Sequence, residues 1–123
     1  SWCVRMPLVQ STMESEKMAK YLFQGNYVGA GVAGLLKEGG SSRIAVAKQV
    51  IESTGCTLDC FYFAFGEYDL VGIIDGPDYA TVAALVLTIN ASGAVQLQTT
   101  VLLSAEDMDA ATKLSPAYRP PGQ

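Results

Sequence analysis

The sequence predicts an α+β domain whose strands and principal helices follow one another as βαββαβ. Three observations carry this. Residues 61–75 form two aromatic and β-branched runs separated by a short Gly-containing connection, the signature of a β-hairpin. Ile44, Ala45, Ala47, Val50 and Ile51 recur at helical spacing, whereas residues 95–103 alternate apolar and polar side chains as a half-buried strand does. With 123 residues, 50% hydrophobic and 16% charged, the chain is sized for one compact domain with a single core.

Residues 1–17 precede the periodic pattern and are set apart as an N-terminal extension; the domain is expected over 18–113. Residues 21–28 alternate aromatic and polar side chains and form the first strand. Gly29, Gly31 and Gly34 then dilute a short apolar stretch that Lys37-Glu38-Gly39-Gly40 stops, predicting a loop or a weak helical turn. Ser41 and Ser42 are N-cap candidates for the first firm helix, which ends at Gly55. After strands over 57–65 and 69–75, Pro77 and Asp78 are placed to open a second helix running to about Asn90, with Ala80, Ala83, Ala84, Leu87 and Ala91 expected on its inner face. Ser92-Gly93 ends it, the last strand follows, and Ser104 to Asp107 has the form of a capping box opening a short helix to about Lys113. Residues 114–123 are an extended Pro-rich tail, expected to lie on another surface.

This order is the ferredoxin-like split unit, an antiparallel sheet with helices on one face. Right-handed crossovers place the first and third strands in the middle and the last strand beside the first. Gln24 and Asn26 then share a sheet face with Gln96, Gln98 and Thr100, while residues such as Phe23 and Leu97 meet the helices. The uncovered face also takes one side of the aromatic strand, either the Phe61, Phe63 and Phe65 set or the Leu58, Cys60 and Tyr62 set. Such a face on a small domain calls for cover. Either a second copy packs against it, enclosing a cavity lined by Gln, Asn and Tyr groups, or the chain's own leader and tail lie over it.

A net charge of -4 without a basic run argues against a nucleic-acid partner. Gly, Asp or Asn interrupts each apolar stretch well before the roughly 18 residues that span a bilayer, so no membrane partner is expected. Residues 1–16 lack the basic and apolar regions of a secretory signal, which makes a cytoplasmic address the default. Three cysteines do not suggest a disulfide framework, and Cys56 and Cys60 on one strand are too far apart to bridge. They are read as small core residues. Without histidine, and with only a C-x-x-x-C pair, no metal site and no cofactor are expected, and Ser-His or Cys-His nucleophiles are ruled out.

Glu67 and Asp69 at the hairpin connection could serve acid-base chemistry if burial raised one of them; the preferred reading is a turn in which Gly66 takes positive φ and Asp69 accepts backbone hydrogen bonds. Tyr68 either points into a pocket or packs at the sheet edge. Arg43, behind Gly39-Gly40 and two serines, either receives an anion or pairs with Glu67, Asp69 or Asp75, the second being preferred. Gln24, Asn26, Tyr62, Gln96, Gln98 and Thr100 are the cavity-lining candidates, and amides and hydroxyls orient a polar molecule better than they move protons. With Arg43, Tyr68 and Asp69 they complete the candidate ligand-binding set; no catalytic residue is assigned.

Residues 39–43 (Gly-Gly-Ser-Ser-Arg), 62–69 (Tyr-Phe-Ala-Phe-Gly-Glu-Tyr-Asp), Pro77-Asp78, 91–94 (Ala-Ser-Gly-Ala) and Thr99-Thr100 together resemble the GYD-domain family, over about residues 18–108. The resemblance implies a ferredoxin-like, oligomeric domain related in fold to the dimeric α/β-barrel proteins, and brings no established reaction. The expected function is that of a non-enzymatic homo-oligomeric module, a dimer or larger, that binds a small molecule or docks a partner. The alternative is a cofactor-free oxygenase or isomerase of the dimeric α/β-barrel type, using Tyr62 or Tyr68 with Asp69, and whether the protein is an enzyme stays open at this point.

Overall fold

Alternation along the first strand sorts the rest of the molecule into two sides. The computed structural model describes residues 18–123, and the expectations for residues 1–17 and for Cys3 lie outside the described residues. In β1 (Ala19–Tyr27), Tyr21, Phe23 and Gly25 are buried on the inner side, while Lys20, Leu22, Gln24 and Asn26 alternate onto the other. Two helices follow, α1 (Ala30–Glu38) and α2 (Gly40–Ser53), then β2 (Thr57–Phe63), β3 (Leu70–Gly76), α3 (Tyr79–Ala91), β4 (Val95–Val101) and α4 (Ala105–Thr112). The antiparallel sheet has the order β2-β3-β1-β4, the ferredoxin-like arrangement that the sequence predicts.

The core lies between the sheet and α2 and α3. Tyr21, Phe23, Leu70 and Ile74 from the sheet meet Ile51, Val82 and Leu85 from the helices, with Cys56 buried among them. Aromatic rings extend this layer across the strands: Phe23 and Phe61 meet edge to face at 5.6 Å between centroids, and Phe61 and Phe63 at 5.3 Å. Gly72 makes room for this. It pairs with Phe23 on one side and Phe61 on the other, and a Cβ there would collide with the Phe23 ring and the Cys60 carbonyl.

In β2 a bulge between Leu58 and Cys60 breaks the alternation. Before it, Leu58 pairs with Ile74 on the core side; after it, Cys60 pairs with Ile73 and Tyr62 with Val71 on the open side. The extra residue therefore sends Phe61 and Phe63 to the core side and Tyr62 to the open side. Cys60 is a half-buried free thiol on that open face, so only Cys56 is a core cysteine as expected.

Four local expectations are corrected. The Gly-diluted segment is a nine-residue helix, α1, because tertiary contact offsets its poor propensity: Val28 N–H donates to the Ala94 carbonyl (2.9 Å), and Gly31 sits so close to that carbonyl that no Cβ would fit. Neither Ser41 nor Ser42 caps α2; the N-cap is Gly39, whose φ of 86° turns the chain directly from α1 into α2. The connection after β2 starts at Ala64, and Gly66 is not among the positive-φ glycines. The buried stripe of α3 is Val82 and Leu85 with Val86 and Ile89 packed beside them, while Leu87 is 67% exposed. This helix is apolar nearly all round, so periodicity offers two stripes, and the one with the larger side chains removes more apolar area from water.

Side-chain caps fix two helix starts. Asp78 accepts the Thr81 N–H at 2.7 Å to open α3, and Ser104 with Asp107 closes the predicted capping box at α4. Hydrogen bonds from the Thr81 backbone hold the Asp78 carboxyl below its ordinary 3.8. Its stabilising contribution is therefore present above that value and lost as pH falls through the folded-state pKa. Urea midpoints of wild type and Asp78→Ala should differ by a constant amount above about pH 5 and converge in stronger acid, while Asp78→Asn, whose amide oxygen accepts without titrating, should match wild type above about pH 5 and exceed it in stronger acid. Gly72→Ala should lose about 1–3 kcal/mol in urea unfolding through overpacking. Gly34→Ala, in α1 with open space around the position and no positive φ, should gain about 0.5–1 kcal/mol.

Candidate functional site

The register assembles most of the predicted polar residues on the open sheet face. One row crosses all four strands as Tyr62, Val71, Gln24 and Gln98, and the next as Cys60, Ile73, Leu22 and Thr100. Asn26 pairs with Gln96 at the edge of this strip, and the Tyr68 hydroxyl donates to Gln98 Oε1 at 2.9 Å. Tyr68 thus belongs to the strip, reaching it from the hairpin connection. Its centre is apolar, made by Leu22, Val71 and Ile73. At the far end Lys20 bonds both Asp75 (2.9 Å) and Asp59 (3.1 Å), and these hydrogen bonds, the one to Asp75 first, raise the lysine above its ordinary value.

Asp69 ties strands together rather than closing a turn on itself. Its N–H is shared between the Gly25 carbonyl (2.8 Å) and Asn26 Oδ1 (3.1 Å), its carbonyl accepts the Ala64 N–H, and its Oδ2 accepts the Tyr27 N–H at 3.0 Å. The carboxylate satisfies a backbone donor where β1 ends, a group that would otherwise lack a ladder partner. Glu67 is exposed beside it.

Arg43 is separated from this set. It lies at the start of α2, on the helix-covered side, and its Nη1 pairs with Glu38 Oε1 at 3.3 Å in place of the expected Glu67, Asp69 or Asp75. There it joins a cavity that sequence reasoning missed. α2 and α3 stand apart over the sheet and leave a cleft of about 110 Å³. Val46, Ala47 and Val50 form one wall; Leu85, Val86 and Ile89 form the other. Phe23, Leu97 and Thr99 floor it, and Arg43 and Tyr27 supply its polar end. Burial pushes the Tyr27 phenol above its ordinary value, and the neighbouring Arg43 guanidinium opposes that shift. A wider, more open recess of about 390 Å³ lies on the other side of Tyr27, between α1 and the hairpin, lined by Val32, Leu35, Phe63 and Asp69 among others.

A four-stranded antiparallel sheet, backed by helices on one side and with no described segment over the other, defines a small α+β protein of ferredoxin-like architecture. Residues 21–112 match the model of the GYD domain, and the chain belongs to that family. Searches of curated proteins and of solved structures returned no match.

Replacing Asp69 by alanine orphans the Tyr27 N–H and should cost about 1–3 kcal/mol in urea unfolding, with faster amide exchange at Tyr27. Asp69→Asn keeps an acceptor oxygen and should lose less.

Proposed function

We propose that this protein is a non-enzymatic module that acts as a homo-oligomer, two copies packing open sheet face on open sheet face around a space lined by Gln24, Asn26, Gln96, Gln98, Thr100, Tyr62 and Tyr68. The observation that carries the reading is the strip of Leu22, Val71 and Ile73 beside a 66% exposed Tyr62, on a sheet face that no described segment covers. Every residue from 103 to 123 is exposed, so the tail does not serve as cover within one chain. Apolar surface of this kind on a small domain is relieved by burial against a partner. The amide and hydroxyl groups around it suit a small polar ligand held by hydrogen bonds.

A cofactor-free oxygenase or isomerase would draw on Tyr62 or Tyr68 with Asp69. That alternative has less support, because the Asp69 carboxylate is engaged by the Tyr27 N–H and the Tyr68 hydroxyl by Gln98. No described helix is long and apolar enough to cross a membrane. A cytoplasmic oligomer without nucleic-acid or membrane partners remains part of the proposal.

Light scattering at micromolar concentration tests it. Wild type should be a dimer or larger, and Val71→Glu, which places a charge in the centre of the strip, should be a folded monomer by circular dichroism. A monodisperse wild-type monomer overturns the reading.

A further inference from the structure

The cleft between α2 and α3 has a shape and chemistry independent of how the open face is covered. Its walls are aliphatic and offer water few hydrogen-bond partners, so an apolar guest would displace poorly held water and gain packing contacts with the lining. Its size sets the guest. An apolar cavity of about 150 Å³ accepts benzene, so about 110 Å³ suits a single ring or a short branched chain and nothing much longer.

The polar end sets the guest's charge. Among the described residues, Arg43 is the only charged one in the lining. Its one ion pair among the described residues is a single contact to Glu38 at 3.3 Å, with both side chains partly in water (31% and 44% exposed), the kind of pair that contributes little and yields readily to a better acceptor. A carboxylate can take two parallel guanidinium N–H bonds that Glu38 does not take. The Tyr27 hydroxyl beside Arg43 adds a second donor at the same end. An amine is repelled here, and a phosphate dianion is too strongly hydrated for a mouth that opens straight onto an aliphatic wall.

We propose that this cleft binds a small aromatic or branched aliphatic monocarboxylate, its hydrocarbon body between Val50 and Val86 above Phe23 and its carboxylate on Arg43. The ligand enters carboxylate-last and displaces Glu38 from the guanidinium. No covalent step is involved.

Methyl NMR of the full chain, titrated with benzoate and separately with toluene, tests the site. Both should shift the Val50 and Val86 methyls. Arg43→Met should weaken benzoate about tenfold or more while leaving toluene unchanged, which also shows that the variant is folded. Glu38→Gln should tighten benzoate and leave toluene alone. Val86→Phe, which fills the cleft, should abolish both. The benzoate shifts should persist in Val71→Glu, since that substitution lies on the opposite sheet face, so failure of assembly and failure of this site are read separately. Absence of wild-type methyl shifts at millimolar benzoate overturns the proposal, as does benzoate binding unaffected by Arg43→Met.

Discussion

Phe23 has an aromatic ring to bury over the middle of the sheet, and the neighbouring strand sets opposite it a residue without a side chain, Gly72. A slip of one residue between β1 and β3 would place Val71 or Ile73 under the ring and turn Gln24 toward the core. With that contact in place the central pair is fixed, and β4 and β2 take their registers from its two sides. The packing of α2 and α3 follows, because the residues they cover, Tyr21, Phe23, Leu70 and Ile74, all stand on the side this contact selects. The polar strip on the opposite face is the complement of the same choice.

The parts of this fold that were legible in the sequence are those where a local pattern admits one solution. Alternation through β1 and β4 gave both strands and set Gln24 and Asn26 on one sheet face with Gln96, Gln98 and Thr100, and Ser104 with Asp107 marked a helix start. Where two solutions had similar local merit, the choice was made elsewhere in the molecule. α3 offered two apolar stripes and buried the bulkier one; α1 formed from a Gly-rich segment because its first turn docks on Ala94. Gly66 lies in a connection whose geometry is set by strand hydrogen bonds through Asp69, which is why the expected positive φ does not occur there.

The candidate site divides along the same line. Strand periodicity brought Gln24, Gln98 and Thr100 onto one face, the bulge in β2 turned Tyr62 onto it, and a long side chain from the connection added Tyr68. Arg43 could not be placed by such reasoning, since its partner Glu38 ends a helix that was not foreseen. The cleft beside it arises from the gap between two helices. Each helix records in its own sequence which face is apolar, but neither records how far away the other stands.

The bulge in β2 shows how few atoms separate this surface from a different one. Were the strand to run through this point in plain alternation with every residue kept, Cys60 would fall opposite Gly72 and the two sides of the strand downstream would exchange. Phe61 and Phe63 would emerge on the bare face and Tyr62 would turn under the helices. The bulge thus sets the phase of the strand: by taking up one residue it keeps a phenol, and not a pair of benzyl groups, on the open face.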